Sequence, residues 1–200
     1  MRIGGVERDD WNRRHGEAGP LFGVEPNRFL VAEVDGLAPG RALDLACGAG
    51  RNAVWLAERG WTVTGVDFSE VALDNARRLS AERGVEIEWV QADVREWLPE
   101  PGAFDLVVIM YLQIPVDARR VVHGRAAAAV APGGTLLVVG HDRENLVSGT
   151  GGPQDAGVLL DSEEVAAELD GLVIERAERV LRSVEGDRDA IDTLVRARLG

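Results

Sequence analysis

Apolar positions along this chain switch repeatedly between a strand-like and a helix-like period. "RALDLA" (41–46) is a short apolar run, followed by a helical pattern over Arg51–Arg59 that closes at Gly60. "WTVTGVD" (61–67) is rich in β-branched residues and predicts a second strand. Ser69 or Asp67 can then cap a helix whose apolar stripe includes Ala72, Ala76 and Leu79. "VEIEWV" (85–90) alternates as a half-buried strand does. "FDLVVIMYL" (104–112) is unbroken, the pattern of a central parallel strand covered on both faces. Pro115 suits the first turn of a helix reaching about Val130, and "PGG" turns the chain into a fifth strand, "TLLVVG" (135–140).

Beyond this point the texture changes. Residues 143–160 hold glycines and a proline without a period, and a loop of that length inside a compact domain is expected to be functional or mobile. Asp161-Ser162-Glu163-Glu164 resembles a capping box and opens a helix to Leu169. "LVIERAERVLRSVEG" and "DAIDTLVRARL", joined through Gly186-Asp187, predict an antiparallel hairpin. The elements add up to one α/β domain over 1–200, a doubly wound sheet of about seven strands, mostly parallel, with one strand reversed at its C-terminal hairpin. Ligands of such sheets bind at the carboxyl ends of the strands, so the turns after residues 46, 67, 91, 110 and 140 are expected around one crevice. The helical segment 1–36 and the loop 143–160 carry too few apolar residues for core and are expected to cover that crevice as a lid, with Trp11, Phe22, Tyr111 and His141 lining it.

Composition narrows the classes of partner. The chain has 200 residues, 46% of them hydrophobic and 28% charged, as in a single globular domain. The longest apolar run, around Phe104–Ile114, is too short to span a bilayer, and "MRIGGVERDDWNRRHGEAG" lacks the apolar centre of a secretory signal, so no membrane partner and a cytoplasmic location are expected. Thirty-four acidic against 22 basic residues give a net charge of −12, which argues against a nucleic-acid substrate. All 22 basic residues are arginine, which excludes Schiff-base chemistry and a P-loop lysine. Cys47 is the sole cysteine and reads as structural, and His15, His123 and His141 lack metal-ligand spacing, so no metal is expected.

The chemistry is concentrated in "RALDLACGAGRNAVWLAERG" (41–60). Gly48-Ala49-Gly50-Arg51-Asn52-Ala53 fits the dinucleotide fingerprint G-x-G-x-x-G/A. Asp44 argues against that reading, because a pyrophosphate at the glycine turn would meet a carboxylate in a poorly solvated crevice. A ligand bearing an ammonium and a sulfonium would instead gain from it.

"LDLACGAGRNAVWLAERGWTVTGVDFSEVALDNAR" resembles the first two motifs of the class I S-adenosylmethionine-dependent methyltransferases, with Ala46 where the first glycine of acid-x-G-x-G-x-G usually stands. "GAGRN" followed by "WLAERG" is most similar to the tellurite-resistance and thiopurine-type branch. "QADVREW", "FDLVVIMYLQIP", "APGGTLLVVGHD" and the hairpin extend the resemblance over nearly the whole chain. The resemblance implies a Rossmann-like fold, S-adenosyl-L-methionine as cofactor, and a small-molecule acceptor reacting through sulfur, oxygen, ring nitrogen or a metalloid. It implies that Asp44, Ala46, Gly48, Gly50 and Asn52 surround the methionine and ribose portions. Asp67 would take the ribose hydroxyls, Phe68 would pack on the adenine, and Asp93 with the Val94 backbone would read it. The Met110 carbonyl would meet the ligand's amino group, and Trp11 would belong to an N-terminal lid. The alternatives are a cofactor-binding protein without catalysis and, with less support, an NAD-dependent oxidoreductase.

Several residues carry two readings. Asp67 can serve the helix cap instead of a ligand, and Asp93 can be a turn residue. His141, followed by Asp142, is either a general base or a histidine bonded to backbone in a turn; Tyr111 either shapes the acceptor side or fills core. Trp55, Trp61, Trp89 and Trp97 read as core or strand-edge aromatics, and His123 as a solvated helix position.

Overall fold

The computed structural model describes residues 8–17 and 23–200. Phe22, expected in the lid, lies outside the described residues. Two helices come first, α1 (Arg8–Glu17) and α2 (Arg28–Val34). The alternating part follows as β1 (Arg41–Leu45), α3 (Arg51–Ala57), β2 (Thr62–Asp67), α4 (Glu70–Arg83), β3 (Glu88–Gln91), β4 (Phe104–Met110), α5 (Val116–Ala129) and β5 (Val130–His141). The chain ends with α6 (Asn145–Ser148), α7 (Ser162–Ala167) and the hairpin β6 (Val173–Arg182) and β7 (Ala190–Arg198).

The seven strands form one sheet in the order β3-β2-β1-β4-β5-β7-β6. Every pairing from β3 to β5 is parallel, and β7 is the reversed strand, antiparallel to both β5 and β6. The order turns back between β1 and β4, which leaves a crevice at their carboxyl ends. β4 is buried at six of its seven positions, as its unbroken apolar run requires, because helices cover both faces. Leu43, Val107, Ile109 and Leu136 pack one face; Ala42, Leu106, Val108 and Leu137 pack the other, with Trp55 and Trp61. Trp89 and Trp97 stand partly buried at the margins.

Caps agree with local chemistry. Ser69, rather than Asp67, is the N-cap of α4 and accepts from the Ala72 amide at 3.1 Å, and Gly84 closes the helix with φ 67°. Asp161 caps α7 by accepting from the Glu163 and Glu164 amides.

Three expectations need correction. The fifth strand starts at Val130 rather than Thr135: Val130 pairs with Phe104, residues 131–134 bulge out, and Thr135 resumes opposite Leu106. The loop 143–160 does reach core, since Val158, Leu159 and Leu160 are buried and Leu160 bridges Asp142 beside the sheet. Consecutive apolar residues without a period gave no sign of it. His123 is not solvated but 1% exposed, with Nδ1 2.7 Å from Glu168 Oε2. Glu168 also receives Arg119, whose guanidinium is fully buried and donates to the Leu159 carbonyl as well. This network fastens α7 and the end of the loop to α5, and the pairing was invisible without the helix docking.

Candidate functional site

The turn between β1 and α3 forms the floor of the crevice. Ala46 has φ 58°, a left-handed conformation that normally selects glycine. Gly48 (φ 55°) and Gly50 (φ 80°) are left-handed too. Among the described residues a Cβ on Gly48 would find only His15, 3.8 Å away, so close approach there meets little obstruction from them. Gly50 differs: a Cβ there would stand 2.6 Å from the Trp89 ring and 2.9 Å from Ala76. Its glycine is required by packing of α3 against α4 and β3, and its amide donates to the Cys47 carbonyl within the turn. Asn52 is buried and accepts from the Asn27 amide at 2.9 Å, fixing the start of α2 over the site. Cys47 is buried and its thiol is pushed up, foremost by burial and then by Asp44 and Asp67, which suits an inert thiol.

Asp44 is the least satisfied group. It is 1% exposed, and neither carboxylate oxygen has a hydrogen-bond partner among the described residues. Burial, followed by the charge of Asp67, raises its pKa to about 7; Arg51 and the Ala53 amide, which approaches without closing a hydrogen bond, pull the other way. A buried carboxylate without donors is costly unless a cation meets it. Asp67, at the end of β2, accepts from the Gly48 and Ser69 amides at 2.8 Å each. Burial raises its pKa while the Ser69 and Gly48 amides oppose it. It therefore supports the glycine turn and the start of α4, with lone pairs left on both oxygens.

Past β2 and β3, Phe68, Gln91, Asp93 and Arg95 line a cleft of about 480 Å³ together with Arg8 and Asp9 of α1. Asp93 takes the Arg95 guanidinium and amide, and that side-chain bond holds its carboxyl below the usual range. Val94 is buried in the core, which leaves only its backbone for a ligand.

α1 crosses above these turns. Its His15 is 5% exposed, adjoins Gly48 and feels the charge of Asp67, while burial holds the imidazole pKa low. Asn12 accepts from the Ser69 hydroxyl at 2.7 Å, and Asn75 donates to the His15 carbonyl, which dock α1 on α4. Trp11 is half-buried beside His15, with the Arg14 guanidinium over its ring.

The other half of the crevice lies past β4 and β5. Met110 is buried at the end of β4, and Tyr111 after it has φ 60°, a strained conformation for a bulky residue. The Tyr111 hydroxyl donates to Asp192 Oδ2 at 2.7 Å; burial and that carboxylate push its pKa up to about 12. The ring of His141 meets Tyr111 edge to face at 5.1 Å. His141 Nδ1 lies 3.1 Å from Asp192 Oδ1 but off the line of a hydrogen bond. Gly152 packs on the His141 ring so closely that a Cβ would come within 2.7 Å, which brings the loop 143–160 onto this side. Asp142 does not face the crevice: it is fully buried, accepting from Thr193, Arg179 and the Glu144 amide.

The structure thus gathers Asp44, Ala46, Gly48, Asp67, Phe68, Asp93, Met110, Tyr111 and His141 around one crevice, with Asn52 and Gly50 behind it as support. Sequence reasoning missed His15, Asp192 and Arg182. His15 shares a helical face with Trp11, four residues before it, which was a usable signal. Asp192, a carboxylate in the apolar alternation "AIDTLV", pairs with His141 in the strand register. Nothing local marks Arg182, which is the last residue of a charged strand run.

Residues 42–134 match the family model described as a methyltransferase domain. The ubiquinone biosynthesis O-methyltransferase of Vibrio parahaemolyticus is 33% identical over 130 residues, 64% of this chain and 55% of that protein. Its counterpart in Klebsiella pneumoniae is 35% identical over 131 residues, 64% of this chain and 54% of that one. The chain spans about half the length of the curated relatives it matches. Among solved structures, the N-methyltransferase NodS of Bradyrhizobium japonicum, in complex with S-adenosyl-L-homocysteine, superposes with a TM-score of 0.75. It is 18% identical, with 98% of this chain and 99% of that one covered, so the likeness is one of fold.

Proposed function

We propose that this chain, which carries a class I S-adenosylmethionine-dependent methyltransferase domain, transfers the methyl group of that cofactor to a small-molecule nucleophile. The observation that carries this reading is Asp44, a buried carboxylate with no donor, at the crevice of the glycine turn. The residues present fit the cofactor. Asp44 would hold its ammonium group, Gly48 would admit its backbone-hugging portion, and Asp67 would accept from the ribose hydroxyls. Phe68 and Asp93 would border the adenine. S-adenosylmethionine, when bound, supplies an electrophilic methyl group on a sulfonium, so the protein's contribution is alignment and proton management.

Tyr111 and His141 stand where an acceptor would enter. With Nδ1 turned to Asp192, His141 keeps Nε2 to take a proton from an incoming hydroxyl, thiol or ring nitrogen. Asp192 would stabilise the imidazolium that forms. The Tyr111 hydroxyl is committed to Asp192 and holds its proton, so it shapes the wall and does not act as a base. α1 and the loop 143–160 would close over the two ligands and exclude water. Of the sulfur, oxygen, ring-nitrogen and metalloid acceptors, the curated relatives, named O-methyltransferases, favour oxygen.

The test is calorimetric titration with S-adenosylmethionine, S-adenosylhomocysteine and NAD, followed by an acceptor screen that detects S-adenosylhomocysteine release. Binding of the first two without NAD, and turnover of at least one phenol, thiol or amine, is expected. Tight NAD binding would overturn the reading, and cofactor binding without any turnover would favour a non-catalytic binding protein.

A further inference from the structure

The acceptor half of the crevice contains a cation that methyl transfer itself does not require. Arg182, the last residue of β6, is 27% exposed. Its Nε donates to Asp192 Oδ2 at 2.8 Å and to the Tyr111 hydroxyl at 3.2 Å. The guanidinium lies 5.7 Å from the centre of the Tyr111 ring. Among the described residues no partner takes either Nη nitrogen. One edge of the fork is thus clamped by buried groups, while its end, with two parallel N–H vectors, is presented beside Tyr111. That end matches a carboxylate in bidentate geometry.

The charge balance points the same way. Arg182 lies close enough to Arg51, at the start of α3, to disfavour the charge of Arg51. Two guanidinium groups converge here in a chain whose net charge is −12. Asp44 faces Arg51 and Asp192 faces Arg182. Among the described residues Asp192 is the one carboxylate paired with Arg182, and the Nη end of the guanidinium turned from it would form a charge-assisted pair with an anionic ligand. The clamp is also rigid: the Asp192 carboxylate that holds Arg182 is the one that meets His141 and Tyr111. An anionic group seated on Arg182 would fix the rest of the acceptor relative to the His141 ring.

We infer that Arg182 is the acceptor-recognition residue of this enzyme and that the acceptor is a small carboxylate-bearing molecule, such as an aromatic or aliphatic hydroxy acid, held end-on by the two Nη nitrogens. The inference rests on the methyltransferase reading above and narrows its substrate class.

The test uses the full chain saturated with S-adenosylhomocysteine and follows binding of benzoate, benzamide and phenyl phosphate by calorimetry. Benzoate is expected to bind at least tenfold more tightly than benzamide and more tightly than phenyl phosphate. Arg182→Gln should weaken benzoate tenfold or more and leave benzamide and S-adenosylhomocysteine unchanged; Arg182→Lys, which keeps the charge but loses the fork, should fall between. Hydroxybenzoates should be turned over with a lower KM than the corresponding phenols, and Arg182→Gln should erase that difference. Equal binding of benzoate and benzamide by the parent protein overturns the proposal, whether or not the variants fold. So does an Arg182→Gln variant that binds benzoate as the parent does, or a preference for phenyl phosphate. If S-adenosylhomocysteine binds and the carboxylate preference is missing, only this inference fails. If S-adenosylhomocysteine does not bind, the methyltransferase reading fails with it.

Discussion

Asp44 and Asp67 face one crevice from neighbouring strands with opposite provision for their charge. Asp67 receives two backbone amides, while Asp44 receives none. Burial, with the charge of Asp67 added to it, lifts the pKa of Asp44 to about 7. Such a pair is costly as a purely structural arrangement.

The first expectation concerns pH. A carboxyl whose folded-state pKa is raised holds more protons when folded than when unfolded, so stability is lost as pH rises from about 4 to about 7. Asp44→Asn should remove that loss and stabilise the ligand-free chain at pH 8 by about 2–4 kcal/mol, with little effect at pH 4. The same variant should bind S-adenosylmethionine far more weakly. In the parent, affinity for that cofactor should fall as pH drops below about 7, because its ammonium group needs the ionised carboxylate. Thermal melts at both pH values and titrations across pH 5.5–8.5 check this; a melt unaffected by Asp44→Asn would contradict it.

Ala46 offers a stabilising change. Its φ of 58° strains an L-residue by about 1–2 kcal/mol, whereas glycine takes this conformation freely. The gain is offset by the greater entropy of glycine in the unfolded chain, about 0.4–1 kcal/mol. Ala46→Gly should therefore stabilise by about 0.5–1 kcal/mol net, measured by urea unfolding, with cofactor binding retained. Destabilisation by this substitution would show that the alanine methyl packs usefully.

Gly50→Ala should do the opposite. The new methyl would be driven into Trp89 and Ala76 at a left-handed backbone position, and overpacking combined with strain costs about 2–4 kcal/mol. Gly48→Ala meets only His15 and carries the strain alone, about 1–2 kcal/mol, but should obstruct the cofactor. Comparing the melts with S-adenosylhomocysteine affinity separates the two glycines: a loss of stability would mark Gly50 as a packing residue, and a loss of affinity would mark Gly48 as a ligand residue.

Arg119→Met should destabilise by about 3–5 kcal/mol, because Glu168 would be left in the interior with His123 as its main partner. Burial tends to raise the Glu168 pKa, yet the His123 and Arg119 hydrogen bonds outweigh it and lower it. Its contribution is thus present above the unfolded carboxyl pKa and is lost as pH falls through the folded value. The pH dependence of parent and variant should converge in acid. Because Arg119 also holds the Leu159 carbonyl, amide exchange should quicken in the loop 143–160 before the central strands.

Much of this protein was determined by sequence alone. The period of apolar residues decides strand or helix, since a parallel strand covered on both faces must be apolar throughout and an outer helix only along a stripe. That logic yielded β4, the hairpin and the crevice at the carboxyl ends. Asp44 and the glycine turn were legible because backbone conformation and close approach restrict residue type locally. Tertiary structure decided what depends on meeting a distant partner. His123 became an interior residue because Glu168 arrives from α7, and Gly50 became a packing position because Trp89 lies against it from β3. Asp192 and Arg182 joined Tyr111 and His141 because β7 runs antiparallel to β5 and brings its start to the end of that strand. Charge and hydrogen bonding act through space over a few ångströms, so no pattern along the chain records which groups they will join.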